Sequence, residues 1–268
     1  MISVAVGFTL ASPITFDSTT LLLSLVGIVL LVAASSILNQ CLERATDGQM
    51  KRTANRPLPS RRITITEAAS VGVSCGISGC ILLYMTTNPA TAIAGFSTLI
   101  VYVFGYTLLK PKSIWCTTVG AVPGAMPPVL GWLAAGGQLG WEVFSLFAIF
   151  FVWQFPHFLA IGWKHRNDYE KAGLKMLPSF KDDGLSTGLG AVFYAVLFVP
   201  VAMSPTWLGL TGLPYLCVAA ALSLAYLWYS VQFLRNRTDQ TARSLLYNSL
   251  LALPILLVVL MADYLRIH

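Results

Sequence analysis

Long apolar runs alternate with short polar breaks along this chain, and most runs are apolar all the way around a helix. Nine stand out, over residues 1–14, 20–42, 66–86, 89–109, 115–136, 141–163, 186–203, 208–232 and 245–265. Most match the ~20 residues that a helix needs to cross the hydrocarbon core of a bilayer. A membrane β-barrel would instead alternate in polarity over ~10 residues, which stretches such as Leu21–Val32 do not. The pattern predicts an all-α integral membrane protein of about nine transmembrane helices, as one domain over residues 1–268. The first run is short for a crossing and has no basic region in front of it, so a truncated first helix is expected.

Composition sharpens this picture. Of 268 residues, 56% are hydrophobic and 10% charged, against about 25% charged in an ordinary soluble domain. That excludes a soluble enzyme, a nucleic-acid-binding module and a disordered chain. The five cysteines show no paired metal-ligand spacing, and most lie in apolar runs, where Cys acts as a small hydrophobe. Neither a disulfide framework nor a thiolate metal site is expected.

The net charge of +6 reads as a topology signal once its residues are placed. Arg44, Lys51, Arg52, Arg56, Arg61 and Arg62 follow the second run, and Lys110 and Lys112 the fourth. Lys164, Arg166, Lys171, Lys175 and Lys181 follow the sixth, and Arg235, Arg237 and Arg243 the eighth. Only Arg266, after the ninth run, stands apart, and the breaks near 15–19, 87–88, 137–140 and 204–207 hold no Lys or Arg. Positively charged loops stay in the cytoplasm. The expectation is a multi-pass protein of the inner (cytoplasmic) membrane, with its N-terminus and large basic loops cytoplasmic and its C-terminus outside.

Carboxylates carry little orientation signal, yet Glu43, Asp47, Asp168, Glu170, Asp182 and Asp183 all sit in the two long basic loops, 43–65 and 164–185. Asn39, Glu43 and Asp47 are spaced i, i+4, i+8. On a helix each step of four turns about 40° and rises about 6 Å, so the three share one stripe at the end of the second run. Hard oxygen ligands of this kind suit Mg²⁺, which binds one or two carboxylates together with substrate phosphates. Arg52 and Arg56, also four apart, offer forked donors to phosphate oxygens. Together they make a candidate Mg²⁺–diphosphate cradle at the membrane boundary; the plainer reading is a solvated helix end of mixed charge.

Trp153-Gln154-Phe155-Pro156-His157-Phe158 lies inside the sixth run. Gln and His are costly in a span unless they face a cavity or a partner, and Pro156 can kink the helix toward a pocket. His157 suits either a haem or substrate contact or a hydrogen-bonded packing role. Lys164, Arg166 and Asp168 form a second polar cluster on the same side, readable as substrate contacts or as headgroup contacts and a surface ion pair. Between Gly120 and Trp132, small residues and three prolines point to close helix packing or to broken backbone lining a cavity. Tyr106, Lys110 and Lys112 sit at the cytoplasmic edge as further candidates for binding diphosphate.

These stretches together resemble the protoheme IX farnesyltransferases (haem O synthases), a branch of the UbiA superfamily of intramembrane prenyltransferases. The carrying residues begin with Asn39, Glu43, Asp47, Met50-Lys51-Arg52-Thr53 and Asn55-Arg56-Pro57-Leu58. They continue with Tyr106-Thr107, Lys110, Gly120, Gly124-Ala125, Pro127-Pro128 and Gly131-Trp132. They end with Trp153-Gln154, Pro156-His157-Phe158, Asp168-Tyr169, Ala172-Gly173 and Met176-Leu177-Pro178. The resemblance implies nine helices around a central cavity, and transfer of the farnesyl group of farnesyl diphosphate to a vinyl group of haem b. The products would be haem O and diphosphate, with the hydroxyl drawn from water. It implies Mg²⁺ on Asn39, Glu43 and Asp47, diphosphate held by Arg52, Arg56, Lys110 and Lys112, and a catalytic part for Asp168. Tyr106 and Trp153 would stabilise an allylic cation, Gln154, Lys164 and Arg166 would contact substrate, and His157 would contact haem. The implied partners are haem b, farnesyl diphosphate and the lipid bilayer, with a haem A synthase or a haem-copper oxidase assembly pathway downstream, and no nucleic acid.

The sequence departs from the pattern of its relatives at Glu43, where many have Asp, and at Ala45, where some have Asp. The wider superfamily has a second D-x₃-D after the sixth helix; here Asp168 has Lys164 four residues before it, a reduced form that favours haem over a quinone precursor as acceptor. A UbiA-type enzyme for an aromatic quinone precursor is the alternative. A secondary transporter is disfavoured because the charged candidates sit at the membrane edge rather than at mid-depth. A non-catalytic oxidase assembly factor is the remaining option.

Overall fold

The computed structural model describes residues 1–12, 16–175 and 184–268. The Met176-Leu177-Pro178 match and the loop residues Lys181, Asp182 and Asp183 lie outside the described residues. Helices account for every regular element among those described, in the order α1 (Ile2–Ala11), α2 (Ser18–Asp47), α3 (Ile65–Thr86), α4 (Pro89–Ile100, continuing as a π-helical turn over Val101–Thr107), α5 (Cys116–Ala134), α6 (Trp141–Lys164), α7 (Arg166–Lys171), α8 (Leu185–Trp207), α9 (Leu213–Asn236) and α10 (Asp239–Ile267). Seven of these spans are long and apolar enough to cross a membrane, and α1 is a shorter apolar helix. Each predicted run finds its helix.

Local chemistry sets the ends. Asp17 caps α2 by accepting from the amides of Thr19 and Thr20, and the Thr20 hydroxyl and these amides hold its carboxyl below the ordinary carboxylate range. Thr64 and Glu67 form a reciprocal capping box on α3. Asn88 caps α4 with Pro89 in the first turn. α8 runs four residues past the predicted 203, because Pro205 is accommodated and the helix ends only where Gly209 takes a positive φ of 77°.

Two apolar cores meet across α1 and α5. Val4 and Leu130 pack with Ile28, Leu31, Leu83, Leu99 and Val103 of α2, α3 and α4. Val6, Leu10, Trp132 and Leu133 pack with α6, α8, α9 and α10. The α1–α5 approach depends on glycine, since a Cβ at Gly7 would overlap the Pro128 carbonyl and one at Gly131 the Val4 carbonyl. α6 is the most enclosed of the seven spans. It is fixed to α8 by stacking of Phe155 on Tyr194 at 3.8 Å and to α9 by the Tyr226 hydroxyl, which donates to the Trp153 carbonyl. The opposite faces of α2, α3 and α4 present Leu22, Val26, Val73, Ile77 and Ile93 outward, as lipid contact requires.

Candidate active site

α2 continues beyond its apolar run to Asp47, so Asn39, Glu43 and Asp47 do share a helix and a face. The Asn39 amide donates from Nδ2 to Glu43 Oε2 at 3.0 Å. Its Oδ1 lies 2.9 Å from the Thr107 hydroxyl, which is equally close to the Tyr102 carbonyl. The π-helical turn carries Thr107 to this position; such turns often mark functional sites. Asp47, 1% exposed, forms an ion pair with Arg56 at 2.8 Å, and its carbonyl accepts from Thr53 Oγ1.

Lys110 Nζ stands 2.8 Å from Glu43 Oε1 and 4.4 Å from the centre of the Tyr106 ring. The Glu43 contact has the distance of an ion pair but lacks hydrogen-bond alignment, so Oε1 is a buried carboxylate oxygen with no hydrogen-bond donor. Asn39, Glu43, Asp47, Arg52, Arg56, Tyr106 and Lys110 line one cavity of about 150 Å³ with Met50, Tyr102, Tyr169 and Leu174. The donor set is one amide and two carboxylates; among the described residues there is no cluster of three or more His, Cys, Asp or Glu side chains suited to a metal. Met50, Tyr169, Ala172 and Leu174 pack as a small apolar cap, and the Lys175 amide donates to the Lys110 carbonyl at 2.9 Å. The loop after α6 is thereby tied to the loops after α2 and α4. Beside it, burial and the charges of Arg52 and Lys164 push the His165 pKa down, against Asp168, which keeps the ring neutral at pH 7.

Tyr102, Tyr106 and Tyr169 also line a second cavity of about 370 Å³ that runs between α2, α4, α5 and α6. Its other walls are mostly apolar and include Val32, Pro123, Phe158 and Ile161, with Gly120, Gly124 and Gln154. Gly120 makes room for the Tyr106 ring, which a Cβ there would overlap.

Several predicted site residues fall elsewhere. His157 points to α10, with Nδ1 2.8 Å from the Ser249 hydroxyl. It stacks on Trp153, whose Nε1 donates to the Ser249 carbonyl. Neither lines either cavity. Arg166 pairs with Asp239 at 2.8 Å and covers the Trp163 ring. Lys112 and Lys164 are exposed and Asp168 half-buried, and none of the three lines the polar cavity. Sequence reasoning passed over Tyr102 as a site residue, although Tyr102, Tyr106 and Lys110 repeat the i, i+4, i+8 spacing of the facing ladder. Thr107 as the clasp on Asn39 carried no such signal.

An acidic and basic pocket at one end of a helical bundle, adjoining an apolar cavity across shared tyrosines, suits a molecule with a charged head and a long apolar tail. That defines the class: an intramembrane prenyltransferase. A family model for the UbiA prenyltransferase family matches residues 1–253, and the chain belongs to that family. A protoheme IX farnesyltransferase of Solibacter usitatus (strain Ellin6076) is 42% identical over 247 residues, covering 92% of this chain and 85% of the relative. A solved structure concerning digeranylgeranylglyceryl phosphate synthase in membranes shares the fold with a TM-score of 0.83 at 19% identity, over 99% of this chain and 92% of that one. A UbiA homolog from Archaeoglobus fulgidus bound to DMAPP and Mg²⁺ aligns with a TM-score of 0.70 at 15% identity, over 98% of this chain and 93% of that one.

Proposed function

We infer that this chain transfers the farnesyl group of farnesyl diphosphate to a vinyl group of haem b, giving haem O and diphosphate. The observation that carries this reading is the junction of the polar and apolar cavities at Tyr102, Tyr106 and Tyr169. A diphosphate head beside Arg52, Arg56 and Lys110 and a prenyl tail among Val32, Pro123 and Phe158 would fit that junction. The names of the relatives at 34–42% identity select haem as acceptor.

Asn39, Glu43 and Asp47 would hold Mg²⁺, and Glu43 Oε1 fits that role: it is buried, makes no aligned hydrogen bond, and faces a cation, the Lys110 ammonium at 2.8 Å, whose place a metal ion can take. Bound there, Mg²⁺ would neutralise charge on the leaving diphosphate. Arg52 and Arg56 bind its phosphate oxygens, and Lys110 turns from Glu43 to them when the substrate arrives. The Tyr102 and Tyr106 rings face the developing allylic cation, and the apolar walls keep bulk water from its C1. Asp168, Lys112 and Lys164 stand at the rim, where they would meet the diphosphate on entry. The enzyme sits in the inner membrane with its polar cavity on the cytoplasmic side, and its product passes to a haem A synthase or a haem-copper oxidase assembly pathway.

The test is expression in cells lacking their own haem O synthase, with extracted haems analysed by mass. Farnesylated haem is expected; haem b alone at normal protein levels would overturn the reading. A prenylated quinone precursor in its place would establish the other acceptor.

A further inference from the structure

The apolar cavity holds a polar atom that the transfer step does not use. Gln154 is 3% exposed. Its Nε2 donates to the Ala121 carbonyl of α5 at 2.8 Å and to the Phe150 carbonyl of its own helix at 3.0 Å. Only an NH₂ group can face two carbonyls, so the orientation of the amide is settled by its neighbours. Oε1 then faces Gly124, where a Cβ would overlap it, and both residues line the cavity. No donor among the described residues bonds to Oε1. Oε1 packs against Gly124 and borders a cavity of about 370 Å³ that has room for a small donor, and an acceptor in such a wall is stabilised by one.

The farnesyl-to-haem reading, on which this inference rests, supplies one. Cleavage of the C1–O bond of the prenyl diphosphate sends the bonding pair to diphosphate and leaves an allylic cation. The vinyl π pair then forms the new C–C bond from its terminal carbon, which moves the positive charge to the carbon attached to the porphyrin. That second cation ends in one of two ways: it loses a proton and becomes an alkene, or it takes up water and becomes an alcohol. The prenyl chain and the vinyl arm carry no O–H or N–H; water does. We propose that Gln154 Oε1 holds the water molecule that captures this cation, so that Gln154 sets the choice between alcohol and alkene. The water donates one O–H to Oε1, and its lone pair forms the C–O bond. The surplus proton goes to the diphosphate in the adjoining cavity, with which this one shares the wall of Tyr102, Tyr106 and Tyr169. Gln154 is a positioning residue and takes no proton itself.

The experiment uses the full-length protein in membranes of cells lacking their own haem O synthase, with haems resolved by mass. Gln154→Met keeps the length of the side chain and removes the acceptor. Gly124→Ala puts a methyl group where Oε1 now lies and so drives the amide oxygen from its place without removing it. In each variant the ratio of the alcohol to the product lighter by one water is expected to fall at least about tenfold, whatever the total turnover. A purely structural role would lower the total and leave the ratio alone. An unchanged ratio in a variant that accumulates in the membrane overturns the proposal, as does loss of all prenylated haem from both accumulated variants, because coupling precedes capture. In water labelled with heavy oxygen, the wild-type alcohol must carry the label; an unlabelled alcohol also overturns it. Absence of prenylated haem from the wild type would sink the farnesyl-transfer reading instead, so the two failures are distinct.

Discussion

Asp47 is the most enclosed of the three acidic-stripe residues, beside Arg56. Asp47→Ala removes a hard oxygen donor while leaving Arg56 partly solvated, so it is expected to lower prenyl transfer at least about a hundredfold with unchanged accumulation in the membrane; turnover near wild type would remove the metal-cradle assignment. This residue was legible in the sequence because its neighbours in space are also its neighbours at helical spacing. His157 was not, because the direction of a side chain in a span depends on which helix packs beside it. Here that helix is α10, far along the chain, and the ring bonds Ser249 rather than facing the cavity. His157→Ala should therefore destabilise the fold by about 1–3 kcal/mol, read as a lower thermal midpoint in detergent. Haem transfer and prenyl diphosphate binding should fall together. Survival of diphosphate binding with loss of haem transfer alone would restore the haem-contact role.

At the scale of elements, the apolar runs locate the helices because a lipid-facing helix needs length and little else. What the runs miss is how the polar ends continue. α2 extends five residues beyond its apolar run, as the helical spacing of Asn39, Glu43 and Asp47 requires, and those residues carry Glu43 and Asp47. The π-helical turn over Val101–Thr107 has no sequence signature, since it reflects a register that neighbouring helices impose. Its consequence is specific: the Thr107 hydroxyl meets the amide oxygen of Asn39. Thr107→Val should weaken Mg²⁺ dependence of turnover about tenfold or more, as lost outer-sphere contacts do, and Thr107→Ser should restore it. Equal Mg²⁺ titrations for both variants would mean that the clasp does not matter to the metal.

For the whole molecule, the alternation of basic and uncharged breaks predicts which end of the bundle faces the cytoplasm. In a Cys217→Ser background, Ser60→Cys should resist a membrane-impermeant maleimide in intact cells and react after permeabilisation, whereas Gln138→Cys should react in both; the reverse pattern would invert the topology. The nine-run count and the acidic stripe were readable from one dimension, but the meeting of two cavities at three tyrosines required the folded bundle. One contact at that scale reaches into biogenesis. The Tyr264 hydroxyl on α10 donates to the Leu10 carbonyl at the end of α1, across 254 residues of sequence. Helix α1 also rests on α5 through backbone contacts that only glycine permits. Helix α1 thus lacks part of its seat until α10 has been made. A chain halted before residue 239 would keep α1 on α5 but leave the Leu10 carbonyl without its Tyr264 partner, an exposed mark that membrane quality control can read.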